Sequence, residues 1–282
     1  MIQEDPQRGL ESRLALNRVM QDKGQLSEQE SEKNIADNLV VVAGFEEINK
    51  GLSDGSLNIK GKAGTGLLLT TDGFILTAYH NIQAYVDDWK RISQENPPTH
   101  ANLYTWMEEM KQRYAIVDQK RNAYPIDTSF WSYNPTFDLA LIKAVILKEP
   151  EPIEFGVIGD NLEVGDEIKL FALRDQRQYN QYGTVTSTEY DASINHPETR
   201  EITSTTLDTF LTDAYGVPGF SGGVFTNLHG EFAGLALYIT VRIDRAIGYV
   251  GGAKARNIVD FVKDTANKVS MAYKDSPARI AL

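Results

Sequence analysis

From Asn38 onward the chain is a succession of short β-branched and aromatic runs broken by glycine and Asp-Gly turns. NLVVVAGFEEI, KAGTGLLLTT and GFILTAYH come first. YAIVDQ, LALIKAVIL, EIKLFAL, QYGTVTST, EITSTTL, GGVFTNL, EFAGLALYITVRI and IGYVGG follow. Each run is long enough for one strand. Asp72–Gly73, between two apolar runs, predicts a tight hairpin. Many short strands with turn signals predict a mostly β chain built as a sandwich or barrel, not a parallel sheet with crossover helices.

The flanks have a different texture. Residues 1–36 are polar, with Leu10, Leu14, Leu16, Val19 and Met20 spaced as on one amphipathic helix that breaks at Asp22–Gly24. Ser27, with Glu30 three residues on, forms a capping-box pattern that opens a second helix. This N-terminal extension reads as a solvated helical arm. Residues 84–113, with Trp89, Tyr104, Trp106, Met107 and Met110, read as a helical insertion between strands. KEPEPIEFG at 148–156 reads as a connector between two halves. The polar stretch 175–200, which contains His196, reads as a mobile loop. Ile258, Phe261, Val262, Ala266 and Val269 recur at helical spacing and predict a C-terminal helix on the core.

Charge and composition exclude several functions. Lys and Arg number 28 against 39 Asp and Glu, a net charge of −11. That sign repels nucleic acid and anionic membrane, so neither is an expected partner. The chain has no cysteine, which removes disulfides, thiolate chemistry and Cys-ligated metals. No run is apolar enough for a transmembrane helix. The first twenty residues lack a basic start followed by an apolar stretch, so no secretory leader is expected. The expected compartment is the cytoplasm, or the periplasm or exterior if a leader has been removed.

Three residue contexts carry chemistry. His80 ends the apolar run GFILTAYH, where a strand must stop and turn. Asp138 stands in FDLALIKA, at the mouth of a buried run, where a carboxylate needs a hydrogen-bonding partner. Ser221 lies in PGFSGG among Gly219, Gly222 and Gly223, which allow sharp turns and let backbone N–H groups converge on one oxygen. Serine, histidine and aspartate together supply a nucleophile, its base and the group that orients the base. Each alone also fits a structural role, such as a turn-capping Asp or a glycine-rich loop.

These segments resemble the chymotrypsin-like (trypsin-like) serine endopeptidases, most closely the HtrA/Deg branch. The resemblance lies in GTGLLLTTDGFILTAYH, NPTFDLALIKA, LEVGDEIKLFAL, TDAYGVPGFSGG, HGEFAGLAL and IGYVGGAKARNIVDFV, which occur in the family's order over roughly residues 37–265. It implies two six-stranded β-barrels, the first at about 37–148 and the second at about 157–252, with the active site in the cleft between them. The end of a C-terminal helix and a tail would occupy 266–282. No peptide-binding PDZ module is expected after the protease-like region.

Carried over by position, the resemblance implies His80 as general base, Asp138 as its orienting carboxylate and Ser221 as nucleophile. The N–H groups of Gly219 and Ser221 would form the oxyanion hole. Tyr215 and Gly216 would line the primary specificity pocket, and Val250 its far wall. Leu237, Tyr238 and Ile239 would pair with the substrate backbone. The pocket lacks an Asp at its base, so a small or medium apolar side chain is expected before the cut bond. No metal or cofactor is required. The expected partners are a protein or peptide substrate and a regulatory partner.

Three positions depart from the family pattern. Phe220 replaces an Asn or Asp before the serine, Leu237 replaces a small hydroxyl residue, and Tyr79 replaces a small residue or Asn before the histidine. Phe220 is expected to alter how Gly219 presents its N–H. It also cannot form the ion pair by which secreted relatives are activated. These departures leave a second reading, a catalytically silent or gated protease fold that acts as a binding module.

Overall fold

The computed structural model describes residues 27–44, 47–49, 58–60, 63–70, 72–87, 114–145, 162–174, 177–195, 202–241 and 248–274. Most of the 84–113 insertion, the 148–156 connector, His100, His196 and residues 1–26 lie outside them.

The described chain forms two closed, six-stranded antiparallel barrels. The first contains β1 (Leu39–Gly44), β4 (Ala63–Leu68), β5 (Phe74–Ala78), β6 (Tyr114–Val117), β7 (Ala123–Asn134) and β8 (Leu139–Ala144), in the order β1-β4-β5-β8-β7-β6. A separate two-stranded ribbon joins β2 (Glu47–Asn49) to β3 (Asn58–Lys60). The second barrel contains β9 (Glu167–Arg174), β10 (Arg177–Asn195), β11 (Ile202–Tyr215), β12 (Val224–Asn227), β13 (Phe232–Val241) and β14 (Gly248–Lys254). Its order is β10-β11-β14-β13-β12-β9. The mostly β expectation and the two-barrel architecture are therefore both met. Closure matters physically, because it pairs strand edges that would otherwise template aggregation.

The β-branched runs explain the first barrel. Leu39 to Ala43 are all buried, as are Phe74 to Ala78 and Leu139 to Ile142. Side chains on one face fill the barrel, and those on the other pack against the neighbouring barrel and the C-terminal helix. The largest apolar cluster accordingly runs from Val40 and Leu67 through Phe171 and Leu235 to Ile258 and Val262. A smaller cluster around Phe210, Phe220 and Phe225 fills the second barrel, with the Phe210 and Phe225 rings 5.1 Å apart edge to face. Burying such a side chain is worth roughly 1.5–3 kcal/mol, so these two clusters dominate stability.

Two helices cross between the barrels. The helix α1 (Glu28–Asp37) begins at the expected capping box: Glu30 N–H donates to Ser27 Oγ, and Ser27 N–H donates back to the Glu30 carboxylate. It is not a solvated arm. Ile35 is buried in the main core, Ser31 Oγ donates to Gly230 O at 2.5 Å, and Glu32 pairs with Lys169 of β9. On the other side, Gln119 after β6 donates to Ala36 O at the end of α1. The helix therefore holds both barrels. The reason is local: two small or apolar residues one turn apart, Ser31 and Ile35, give an otherwise polar helix a narrow buried stripe.

The helix α2 (Ala255–Lys274) leaves the second barrel and packs on the first. Ile258, Phe261, Val262 and Ala266 are buried as expected, and Thr265 Oγ1 donates to Ser132 Oγ of β7. Nothing is described of the Val269 side chain.

The stretch 175–200 departs from expectation. Residues 177–195 are not a loop but the 19-residue strand β10, which contains the expected run QYGTVTST and extends it at both ends; it pairs with β9 at its start and with β11 through to Asn195. β7 also had no counterpart among the strand runs of the sequence.

Candidate active site

The turn after β5 places His80. Residues Tyr79–Asn81 form one 3₁₀ turn, and Tyr79 N–H donates to Asp138 O at 2.9 Å. Asp138 is the last residue before β8, which pairs with β5 through Leu139 and Ala78. Its backbone sits at φ +52°, a left-handed conformation that Asp tolerates better than most residues. Strand pairing thus brings two residues 58 apart in sequence side by side.

Both Asp138 oxygens are used on His80. Oδ1 accepts the His80 backbone N–H at 3.0 Å, and Oδ2 lies 2.7 Å from ring Nδ1. Asp138 is only 3% exposed. A buried carboxylate can only accept, so the facing Nδ1 carries the proton and Nε2 is left as an acceptor. Ser221 Oγ lies 2.6 Å from that Nε2, in position to donate to it. The imidazole side chain is 34% exposed, so this end of the arrangement opens to solvent. The structure therefore brings together the three residues singled out in the sequence, although they lie in both barrels.

The serine loop explains the glycines. Phe220 N–H donates to Val217 O at 3.1 Å, closing a four-residue turn with Pro218 and Gly219 at its centre. Gly219 has φ +103°. Proline second and a positive-φ glycine third is the signature of a type II turn. Gly223 N–H donates to Phe220 O at 2.8 Å, and Gly222 N–H to Ala236 O at 2.6 Å. Among the described residues, no backbone carbonyl accepts from the N–H of Gly219 or of Ser221, whereas those of Phe220, Gly222 and Gly223 are all used. The Phe220 and Gly223 amides are thus engaged within the loop and that of Gly222 by β13.

Phe220 does not crowd this loop. It is 1% exposed and turned into the second barrel, with its ring 5.5 Å from that of Tyr179.

The expected specificity residues are distributed differently. Tyr215 ends β11 opposite Tyr249 and is half exposed, and Gly216 follows it, buried. Val250 is buried in the second-barrel cluster and presents almost no surface. Leu237 is buried in the main core, at a bulge between Ala236 and Tyr238. The backbones of Tyr238 and Ile239 pair with Gly251 and Val250 of β14, and their side chains are not described.

Two further residues, absent from the sequence expectations, touch the serine loop from the first barrel. Thr65 of β4 donates its backbone N–H to Ser221 O at 2.7 Å, and Asn81 Nδ2 donates to the same oxygen at 3.1 Å. The only sequence signal is a hydroxyl residue between two glycines in a strand run, AGTGLLL. No group of three or more potential metal ligands occurs among the described residues.

A family model described as the trypsin-like peptidase domain matches residues 64–235. The chain belongs to that family. The match covers more than half of the chain and includes His80, Asp138 and Ser221, and it ends before Leu237. No curated protein matches the sequence. Membership in the trypsin-like peptidase family, on a double barrel of this kind, supports a serine-protease type of function.

Proposed function

We propose that this trypsin-like peptidase is a serine endopeptidase that works through His80, Asp138 and Ser221. The observation that carries the reading is the continuous path from Ser221 Oγ to His80 Nε2 at 2.6 Å and from His80 Nδ1 to Asp138 Oδ2 at 2.7 Å. His80 takes the hydroxyl proton as Ser221 attacks a peptide carbonyl. Asp138 holds the ring and stabilises the imidazolium that forms. The imidazolium then gives its proton to the leaving amine, and water releases the acyl-enzyme by the same steps in reverse order. Negative charge develops on the carbonyl oxygen, and the N–H groups of Gly219 and Ser221, which meet no backbone carbonyl among the described residues, are assigned to receive it.

Within the family, the order and texture of the motifs favour the HtrA/Deg branch. The pocket beside Ser221 is assigned to Tyr215 and Gly216, with Val250 behind them and the backbone of Leu237–Ile239 as the substrate-pairing edge. None of these is acidic, which favours a small or medium apolar residue before the cut bond. The silent-fold reading rested on Phe220 and Leu237, and the burial of Phe220 in the second barrel weakens the first of those grounds.

Labelling by a fluorescent fluorophosphonate tests the assignment without knowledge of the substrate. Wild type should label, and Ser221→Ala and His80→Ala should not. An unlabelled wild type overturns it. Cleavage of a peptide library mainly after Lys or Arg overturns the pocket assignment.

A further inference from the structure

Thr65 belongs to the first barrel, yet most of its polar atoms are spent on the serine loop of the second. It is fully buried. Its N–H donates to Ser221 O at 2.7 Å. Its hydroxyl accepts the Leu173 N–H at 3.0 Å, which leaves the single hydroxyl proton for Gly219 O at 3.0 Å or Leu173 O at 3.1 Å. Its own carbonyl accepts the Thr77 hydroxyl at 2.8 Å. A methyl on Gly222 would collide with that same carbonyl.

Among the described residues, no backbone carbonyl accepts from the N–H of Gly219 or Ser221, and Thr65 reaches the carbonyls of both: its N–H donates to Ser221 O, and its hydroxyl donates to Gly219 O when its proton is turned there and not to Leu173 O. Each carbonyl fixes the peptide plane that follows it. The plane after Gly219 is held at both ends, by Thr65 on its oxygen and by Val217 O on the Phe220 N–H. The plane after Ser221 is held by Thr65 and Asn81 on its oxygen and by Ala236 O on the Gly222 N–H. The intervening plane is held at its oxygen by Gly223 N–H. The Ser221 N–H lies in that intervening plane, so turning it away from the site would break the bond between Phe220 O and Gly223 N–H. The Gly219 N–H lies in the preceding Pro218–Gly219 plane, which hinges on the Gly219 plane that Thr65 and Val217 hold.

We infer that Thr65 is the positioning residue of the oxyanion hole: from the first barrel, its hydroxyl and N–H fix the backbone of Gly219 and Ser221 so that their N–H groups converge on the reacting oxygen. Thr65 touches no substrate and acts through the loop. Its hydroxyl thereby couples the relative seating of the barrels to the strength of the hole. The assignment rests on Ser221 being the nucleophile.

The test compares fluorophosphonate labelling of wild type, Thr65→Val, Thr65→Ser and Ser221→Ala. Valine keeps the shape and removes the hydroxyl. Its limiting labelling rate should fall about 10–100-fold, a part of the loss seen when an oxyanion donor is removed outright. The half-saturating probe concentration should move less than threefold, because ground-state binding does not use the hole. Thr65→Ser should regain most of the rate. Thr65→Cys, with a weak thiol donor, should fall between them, and it replaces the valine variant if that one does not fold.

Equal limiting rates for wild type and Thr65→Val overturn the inference while leaving the nucleophile assignment intact. So does a loss that Thr65→Ser shares in full, since that would indict packing. A wild type that does not label, like Ser221→Ala, overturns the nucleophile assignment and this inference with it.

Discussion

Asp138 gives one carboxylate oxygen to the backbone N–H of His80 and the other to its ring Nδ1, at 3.0 and 2.7 Å. The same side chain therefore fixes where the turn carrying His80 begins and how its imidazole is rotated. Asp138→Asn separates these roles. Asn also tolerates the left-handed backbone at this position, so the fold should hold. Its amide, however, can present N–H to Nδ1, which would then have to accept and leave Nε2 protonated. The labelling rate should fall about 10³–10⁴-fold, with an unchanged circular dichroism spectrum. A loss below tenfold would remove Asp138 from the mechanism.

Gly219 and Gly222 both have positive φ, at +103° and +85°, but for different reasons. A Cβ on Gly219 would meet nothing closer than 3.7 Å, so only conformation forbids one. Gly219→Ala should fold with a cost of about 1–2 kcal/mol, yet lose labelling by more than tenfold as the turn relaxes. Gly222→Ala adds a collision with the Thr65 carbonyl and should lower the melting temperature much further. Melting curves and labelling rates measured together check the contrast. Equal thermal losses in the two variants would count against it.

The three residues of the site were legible in the sequence because each stands at a boundary the sequence marks. His80 ends an apolar run, Asp138 precedes one, and Ser221 sits among glycines. The barrels were legible where strands are buried on both faces, as in Leu39–Ala43. β10 was legible only at QYGTVTST, because the rest of its residues, RQYN and EYDASIN, carry polar groups on both faces, and only pairing with β9 and β11 makes them a strand. β7 was hidden by Pro125 and Asp127, which read as breakers in isolation. Thr65 and Asn81 were missed because their partners are backbone carbonyls more than a hundred residues away. Such contacts leave no local pattern.

Ile35 is the apolar peg of α1, fully inside the main core. Ile35→Ala should cost roughly 2–4 kcal/mol, or about 5–10 °C in melting temperature for a domain of this size. Because α1 holds both barrels, through Lys169 on one side and Gln119 on the other, the labelling rate should fall as well. Differential scanning calorimetry with labelling at 25 °C checks both. An unchanged melting temperature would show that α1 is not a brace.

Asp208 governs the expected acid response at the start of α2. Burial pushes its carboxyl up, but hydrogen bonds from Lys254, Arg256 and Asn257 outweigh this and hold it at about 2, against an ordinary 3.8. Arg256 reaches both oxygens, at 2.7 and 2.9 Å, and Asn257 Nδ2 reaches Oδ2 at 3.1 Å. A folded-state value below the unfolded one stabilises the protein at every pH above about 4. That stabilisation fades as pH falls from about 4 through 2, below which the carboxyl is protonated in both states. Asp208→Asn keeps a residue that tolerates φ +52° and removes only the charge. With the site partly open to solvent, the loss near pH 7 should be about 1 kcal/mol. The gap between the two melting temperatures should narrow as pH falls below about 4 and close only as it passes below about 2. A gap as wide at pH 2.5 as at pH 7 would show that Asp208 acts through shape and not through its charge.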